Sequence, residues 1–346
     1  MPEQTPLLAL FLLLTLPQLT LVHPYLHLLL IAPLLLYVGC QRNLAQANQD
    51  PSKSQVETVT KKDAMQFPIF GSAMLLALYI LVKIVSKKYI DLLISLYFVV
   101  LGAMGLFGAF QPALVQALNA QHLHKHQIAF QYKFWKRDKN QDDKFTAEFT
   151  NLDCVFFGIC TSFSVWYAVT KEWYLNNLLG SAFAIQGIEM LALSSYAVGC
   201  ILLCGLFVYD IFWVFGTEVM VEVAKGINAP IKILFPKVLG VKPVPCSMLG
   251  LGDIVIPGIF VALMLRFDVK MGISSQPYFF TNFIAYVMGL VATIYVMHRF
   301  DSAQPALLYL VPACIGASLL TAVWRGELRA LLMHNEEEKK VEGKED

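Results

Sequence analysis

Charge is scarce in this chain. Asp, Glu, Lys and Arg make up 15% of its 346 residues, where a soluble domain carries about 25%. With 57% hydrophobic residues gathered in long runs rather than at amphipathic spacing, a soluble globular fold is excluded and a bilayer is the natural solvent. There is no basic patch interleaved with aromatics, so no nucleic-acid partner is expected. No Asn-x-Ser/Thr sequon occurs, so glycosylation marks no loop as lumenal. The seven cysteines form no CxxC pair. Cys200 and Cys204 share a helix face at i,i+4, but without a clear His or Cys partner set they read as small packing residues. Neither a metal nor a cofactor is expected.

What remains is a series of apolar stretches of about 20 residues, each long enough to span about 30 Å of hydrocarbon. They lie near Thr20–Cys40, Phe67–Val85, Tyr89–Phe110, Leu152–Thr170, Tyr174–Leu193, Tyr196–Thr217, Met248–Phe267, Tyr278–His298 and Ala303–Trp324. The expectation is an all-α polytopic membrane protein of about nine transmembrane helices. Leu7–Leu16 reads as a leader into the first span. A cleaved signal peptide is the weaker alternative, because no basic region precedes it and Pro17 and Pro24 interrupt it. With the N-terminus outside, inward segments hold 17 basic residues and outward ones 9. The bias places the N-terminus outside, which is lumenal in a secretory-pathway protein, and the C-terminus inside.

The chain divides into an N-terminal transmembrane part (1–195, with a polar segment at 111–151), a second transmembrane part (196–325, with a loop at 218–247) and a charged tail (326–346) expected to be disordered. His122, His124 and His126 alternate in the polar segment; a solvated loop explains them better than a metal site. In loop 218–247, Val219–Val223 and Ile231–Ile233 alternate in the manner of strands, with Gly226, Pro230, Pro236, Pro243 and Pro245 as punctuation.

Two carboxylates stand where hydrocarbon penalises them. Asp210 lies within the apolar run Leu202–Phe215, and Asp253 closes Gly250-Leu251-Gly252-Asp253 at the head of another. Each costs about 2.5–3.5 kcal/mol at a bilayer centre. Two antiparallel helices could bring them together. At about 3 Å two carboxylates cannot both ionise and share one proton. One then takes a proton from water while the other polarises a carbonyl, which is aspartic-protease hydrolysis. The Asp-Thr-Gly and Asp-Ser-Gly loops of soluble aspartic proteases are absent. A proton- or cation-coupled transporter with the same two groups as relays is the competing function. Gly250 and Gly252 remove bulk beside Asp253, so that a substrate or a neighbouring helix can approach. Pro305 opens the last span and disrupts the backbone there, which is tolerated in a membrane only where protein or a wet cavity surrounds it.

Tyr209-Asp210, Gly250-Leu251-Gly252-Asp253 and Pro305-Ala306-Leu307, in that order along such a chain, resemble the GxGD intramembrane aspartyl proteases. Tyr209–Val223, Ala229–Pro236, Leu249–Asp268 and Gln304–Gly316 are similar to the signal-peptide-peptidase branch rather than to presenilin. A shorter signal-peptide-peptidase-like relative is the alternative within the family. The resemblance implies a presenilin-like fold and cleavage of single-span helices in the bilayer, with substrates drawn from spent signal peptides and type II segments. It also implies residence in the endoplasmic reticulum and activity without the partner subunits of presenilin. Asp210 and Asp253 would be catalytic; Tyr209, Gly250, Leu251 and Gly252 would support them, and Pro305, Ala306 and Leu307 would shape the site. Lipid and helical peptides are the expected partners, with a second copy of the chain left open. A helical substrate must unwind before attack, and its freed backbone needs new partners. The strand-like segments of 218–247 are expected to supply them, so that proline at Val221 or Ile233 would abolish cleavage without unfolding. Asp91, Glu189 and His298 are intramembrane polar groups expected to face other helices, an interface or the cavity.

Overall fold

The computed structural model describes residues 23–48, 57–117, 126–131, 144–227, 229–237, 244, 246–300 and 304–336. Among them nine long helices occupy the nine expected stretches: α1 Pro24–Ala47, α2 Lys61–Ile84, α3 Lys87–Ala117, α4 Asn151–Thr170, α5 Trp173–Met190, α6 Tyr196–Phe215, and then, after a short helix α7 (Val219–Gly226), α8 Gly252–Lys270, α9 Pro277–Phe300 and α10 Leu307–Arg325. Seven are long and apolar enough to cross a membrane; α5 and α8 are not among them. The reason is position. α8 runs through the centre of the bundle, and Pro257–Asp268 is buried throughout, which permits Arg266 and Asp268 inside it. α5 is also largely buried and carries Asn176, Asn177 and Glu189. Polar groups are tolerated in helices that face protein rather than lipid. By contrast α2 presents Ile69, Phe70, Met74 and Ile84 outward, as a lipid-facing helix does. The leader Leu7–Leu16, His122 and His124 lie outside the described residues; no cluster of metal-ligating side chains occurs among the described ones.

Local sequence sets the helix starts. Thr60 and Asp63 form a reciprocal capping box at α2, and Thr150 and Asp153 another at α4. Ser195 caps α6 by accepting from the Val198 N–H. Asp268, at the end of α8, accepts the N–H groups of Tyr278 and Phe279 and so caps α9.

Two expectations fail here. Residues 326–336 are folded rather than a disordered tail. Leu328–Leu332 forms α11, and the Glu336 N–H donates to the Ser194 carbonyl. Arg266 Nε lies 2.8 Å from a Glu336 oxygen, so a buried charge on α8 requires this segment as its partner. Burial alone would push the Glu336 carboxyl up; His334 and Arg266 outweigh it and hold it below the usual carboxylate range. Val219–Val223 is helical rather than strand-like. Its apolar residues serve a helix equally well, since Val223 packs with Ile227 and Ala229 against Leu75, Leu78 and Val82 of α2.

Glu189 and Arg42 form an ion pair at 3.4 Å, and Gln46 also donates to Glu189. Glu189 is therefore a structural group at the end of the bundle where β1 (Glu57–Val59) pairs in parallel with β4 (Leu191–Leu193). His298 stacks edgewise on Tyr25. Asp91 lies within electrostatic reach of Lys171, whose ammonium donates to Ser95. In the polar segment, β2 (His126–Gln131) and β3 (Lys144–Phe149) form an antiparallel pair.

Candidate active site

Asp210 sits in the last turns of α6 and Asp253 in the first turn of α8. Asp210 follows Tyr196 by 14 residues along α6, and Asp253 precedes Arg266 by 13 along α8. Tyr196 and Arg266 are tied to the same short segment, because the Tyr196 N–H donates to the His334 carbonyl and Arg266 pairs with Glu336. At 1.5 Å per residue both aspartates therefore lie about 20 Å from that end of the bundle. The antiparallel helices bring them to one level, and Asp253 is within electrostatic reach of Asp210.

The third motif closes on this pair. Pro305 and Ala306 lead into α10, whose first residue is Leu307. A helix leaves its first N–H groups without intrahelical partners. The Leu307 N–H donates to Asp210 Oδ2 at 3.1 Å, so Asp210 satisfies one of them and meets the positive end of α10. Pro305, Ala306 and Leu307 are all buried. Asp253 accepts from the Gly250 N–H. A Cβ on Gly250 would come within 3.3 Å of Asp253 Oδ2, whereas one on Gly252 would meet nothing within 4 Å. Gly250 thus lets the chain fold back onto the carboxylate, and Gly252 borders open space. Leu251 is the N-cap of α8 and packs on the core. Tyr209 lies against Gly71 of α2, beside Trp213, which donates to Ser72.

One feature was only half legible in the sequence, as the strand-like Ile231–Ile233, and another escaped it. The first is a hairpin in which β5 (Lys232–Pro236) pairs antiparallel with β6 (Cys246–Gly250), Ile233 opposite Leu249. β6 runs directly into the Gly250–Asp253 motif. The second is an asparagine pair on α5 that holds the outer edge of β5. Asn176 donates to the Lys232 carbonyl at 2.6 Å, and Asn177 donates to the Leu234 carbonyl and accepts its N–H, both at 2.7 Å. Burial in this hairpin pulls the Lys232 ammonium below its ordinary value. Asn177→Leu keeps the volume but leaves the partly buried N–H and carbonyl of Leu234 unpaired. It is expected to lower stability by at least about 2 kcal/mol, measured as a fall in melting temperature in detergent. A melting temperature equal to wild type would show that the asparagine does not hold the strand.

Residues 51–338 match the family model for signal peptide peptidase. The chain belongs to the signal peptide peptidase family. It is 46% identical to signal peptide peptidase of Mus musculus and 45% identical to that of Homo sapiens, in both cases over 90% of this chain and 83% of the relative. A probable intramembrane protease of Schizosaccharomyces pombe is 37% identical over 87% of this chain and 90% of that one. The chain is therefore a multi-pass membrane protein and an intramembrane protease of the aspartic class, and the transporter alternative falls away.

Proposed function

We propose that Asp210 and Asp253 are the catalytic pair of this intramembrane protease and that its substrates are spent signal peptides and type II membrane segments. The hydrogen bond from Leu307 to Asp210, with Asp253 within electrostatic reach of the same Asp210, carries the assignment, because the two together join the three separate motifs at one point. Asp210, facing that N–H and the amino end of α10, is the better placed to carry negative charge. It takes a proton from water as the water oxygen bonds to the scissile carbonyl carbon. Asp253 donates its proton to the carbonyl oxygen. Collapse of the hydrated intermediate breaks the C–N bond, with a proton passing to the departing amine. Tyr209, Gly250, Leu251 and Gly252 hold the pair in place, and Pro305–Leu307 forms the opposing wall.

The unwound substrate adds to the β5–β6 sheet. Leu251 N–H bonds to the Ile231 carbonyl, and antiparallel bonding alternates. Ile233/Leu249 and Phe235/Ser247 therefore face each other's backbones, while Met248 turns its N–H and carbonyl outward. β5 is closed by the asparagines, which leaves β6 as the open edge, with Met248 exposed. A substrate strand docked there lies alongside Gly250 and leads to Asp253.

The N-terminus is lumenal, the C-terminus cytosolic and the membrane that of the endoplasmic reticulum. The inward excess of basic residues along the sequence, 17 against 9, supports this orientation. The test is purified full-length protein with a labelled signal peptide, wild type beside Asp210→Ala and Asp253→Ala. Two defined fragments from wild type and none from either variant are expected. Intact peptide with folded wild type would overturn the substrate assignment.

A further inference from the structure

Tyr286 is a buried polar residue at the site that no motif includes. It lies on α9, fully enclosed, and its hydroxyl has no hydrogen-bond partner among the described residues. Gly289, one turn further along α9, explains how it reaches the site. A Cβ there would meet the Leu310 Cα at 3.2 Å and the Tyr309 carbonyl at 3.3 Å. Its absence lets α9 close against the first turns of α10, beside the Leu307 that touches Asp210. The titratable groups within electrostatic reach of the Tyr286 hydroxyl are Asp253 and, on α10, Cys314.

An unpaired hydroxyl in a packed interior destabilises the fold, and phenylalanine would fill the same space without it. The hydroxyl therefore needs a role that only its polarity can serve. A thiol is a weak hydrogen-bonding partner; a carboxyl is a strong one. A phenol can donate to an ionised carboxylate or accept from a protonated one, which suits a group that changes protonation state within each turnover. We propose that Tyr286 is a positioning residue of the catalytic pair, its hydroxyl bonded to Asp253, directly or through one water, once substrate has closed the site. The proposal rests on the reading of Asp210 and Asp253 as catalytic.

The experiment uses the full chain in detergent with a labelled signal peptide. Tyr286→Phe is expected to lower kcat at least tenfold, to leave KM within twofold and to melt no lower than wild type. A residue that only packs would give the opposite pattern, with stability altered and kcat kept. Asp253 also faces Asp210 from α6 and the Gly250 N–H, so the pH dependence is read with 3-fluorotyrosine placed at 286, which makes the phenol more acidic at the cost of one fluorine atom in place of a ring hydrogen. Displacement of the pH–rate profile is expected. Wild-type kcat in Tyr286→Phe together with an unmoved profile in the fluorinated protein overturns the proposal. Asp210→Asn and Asp253→Asn in the same assay separate the two levels: if they cleave normally, the assignment of the pair fails instead.

Discussion

Asp210→Asn and Asp253→Asn each lose at least about 10³-fold in turnover and melt no earlier than wild type. The first half follows from the chemistry. A carboxamide neither takes a proton from water nor gives one to a carbonyl oxygen. The second half follows from the surroundings. Asp210 is buried, and neither aspartate has an ion-pair partner among the described residues; what Asp253 faces is the like charge of Asp210. The pair holds one negative charge between two carboxyls; with one carboxyl replaced, the other can stay protonated, so the desolvation of that charge and the repulsion that forbids a second are both relieved. An asparagine oxygen at 210 still accepts from Leu307, so the start of α10 keeps its cap. Two groups retained against the interest of stability mark a functional site rather than a structural one. Cleavage of a labelled peptide followed by mass spectrometry, beside thermal unfolding of the same samples, reads both halves. Retention of a tenth of wild-type turnover in either variant would remove that residue from the mechanism, and a large drop in melting temperature would make it a structural group.

The spans, the two aspartates and the three motifs were legible because each departs from what hydrocarbon allows. An apolar run of 20 residues has few other uses, and a carboxylate inside one is conspicuous. Residues whose meaning depends on distant partners were not legible. Asn176 and Asn177 read as a penalty within an apolar span until β5, 56 and 57 residues later, supplies the backbone they bind. Tyr286 reads as ordinary packing, since nothing in its neighbours along the chain reveals that its hydroxyl is unpaired. Val219–Val223 misleads because five alternating residues fit a strand, while the packing that decides between strand and helix comes from α2. Residues 326–336 look like a charged tail because the partner of Glu336 is Arg266, 70 positions earlier. The hairpin was half legible: Ile231–Ile233 fits β5, but β6 occupies the residues assigned to the start of the seventh span.

That correction changes which proline tests substrate docking. Proline at Val221 would break α7 rather than a strand. Ile233 is fully buried and hydrogen-bonded across to Leu249, so Ile233→Pro removes a ladder bond and the packing against Gly180 of α5. It is expected to unfold the hairpin and to say nothing about substrate. Met248 is the informative position. Its N–H points away from β5 and its side chain is half exposed, and an edge position of this kind accepts proline without loss of a ladder bond. Met248→Pro is expected to cut turnover at least about 100-fold, the effect of losing an edge hydrogen bond and blocking close approach of a second strand. Its melting temperature should stay near that of wild type, and a peptide-like inhibitor that binds only the aspartates should bind unchanged. Met248→Ala separates backbone from side chain, because it keeps the N–H and should keep most of the activity. If Met248→Pro cleaves as wild type does, the substrate does not join β6, and the hairpin serves only to hold Gly250 and Asp253 against Asp210.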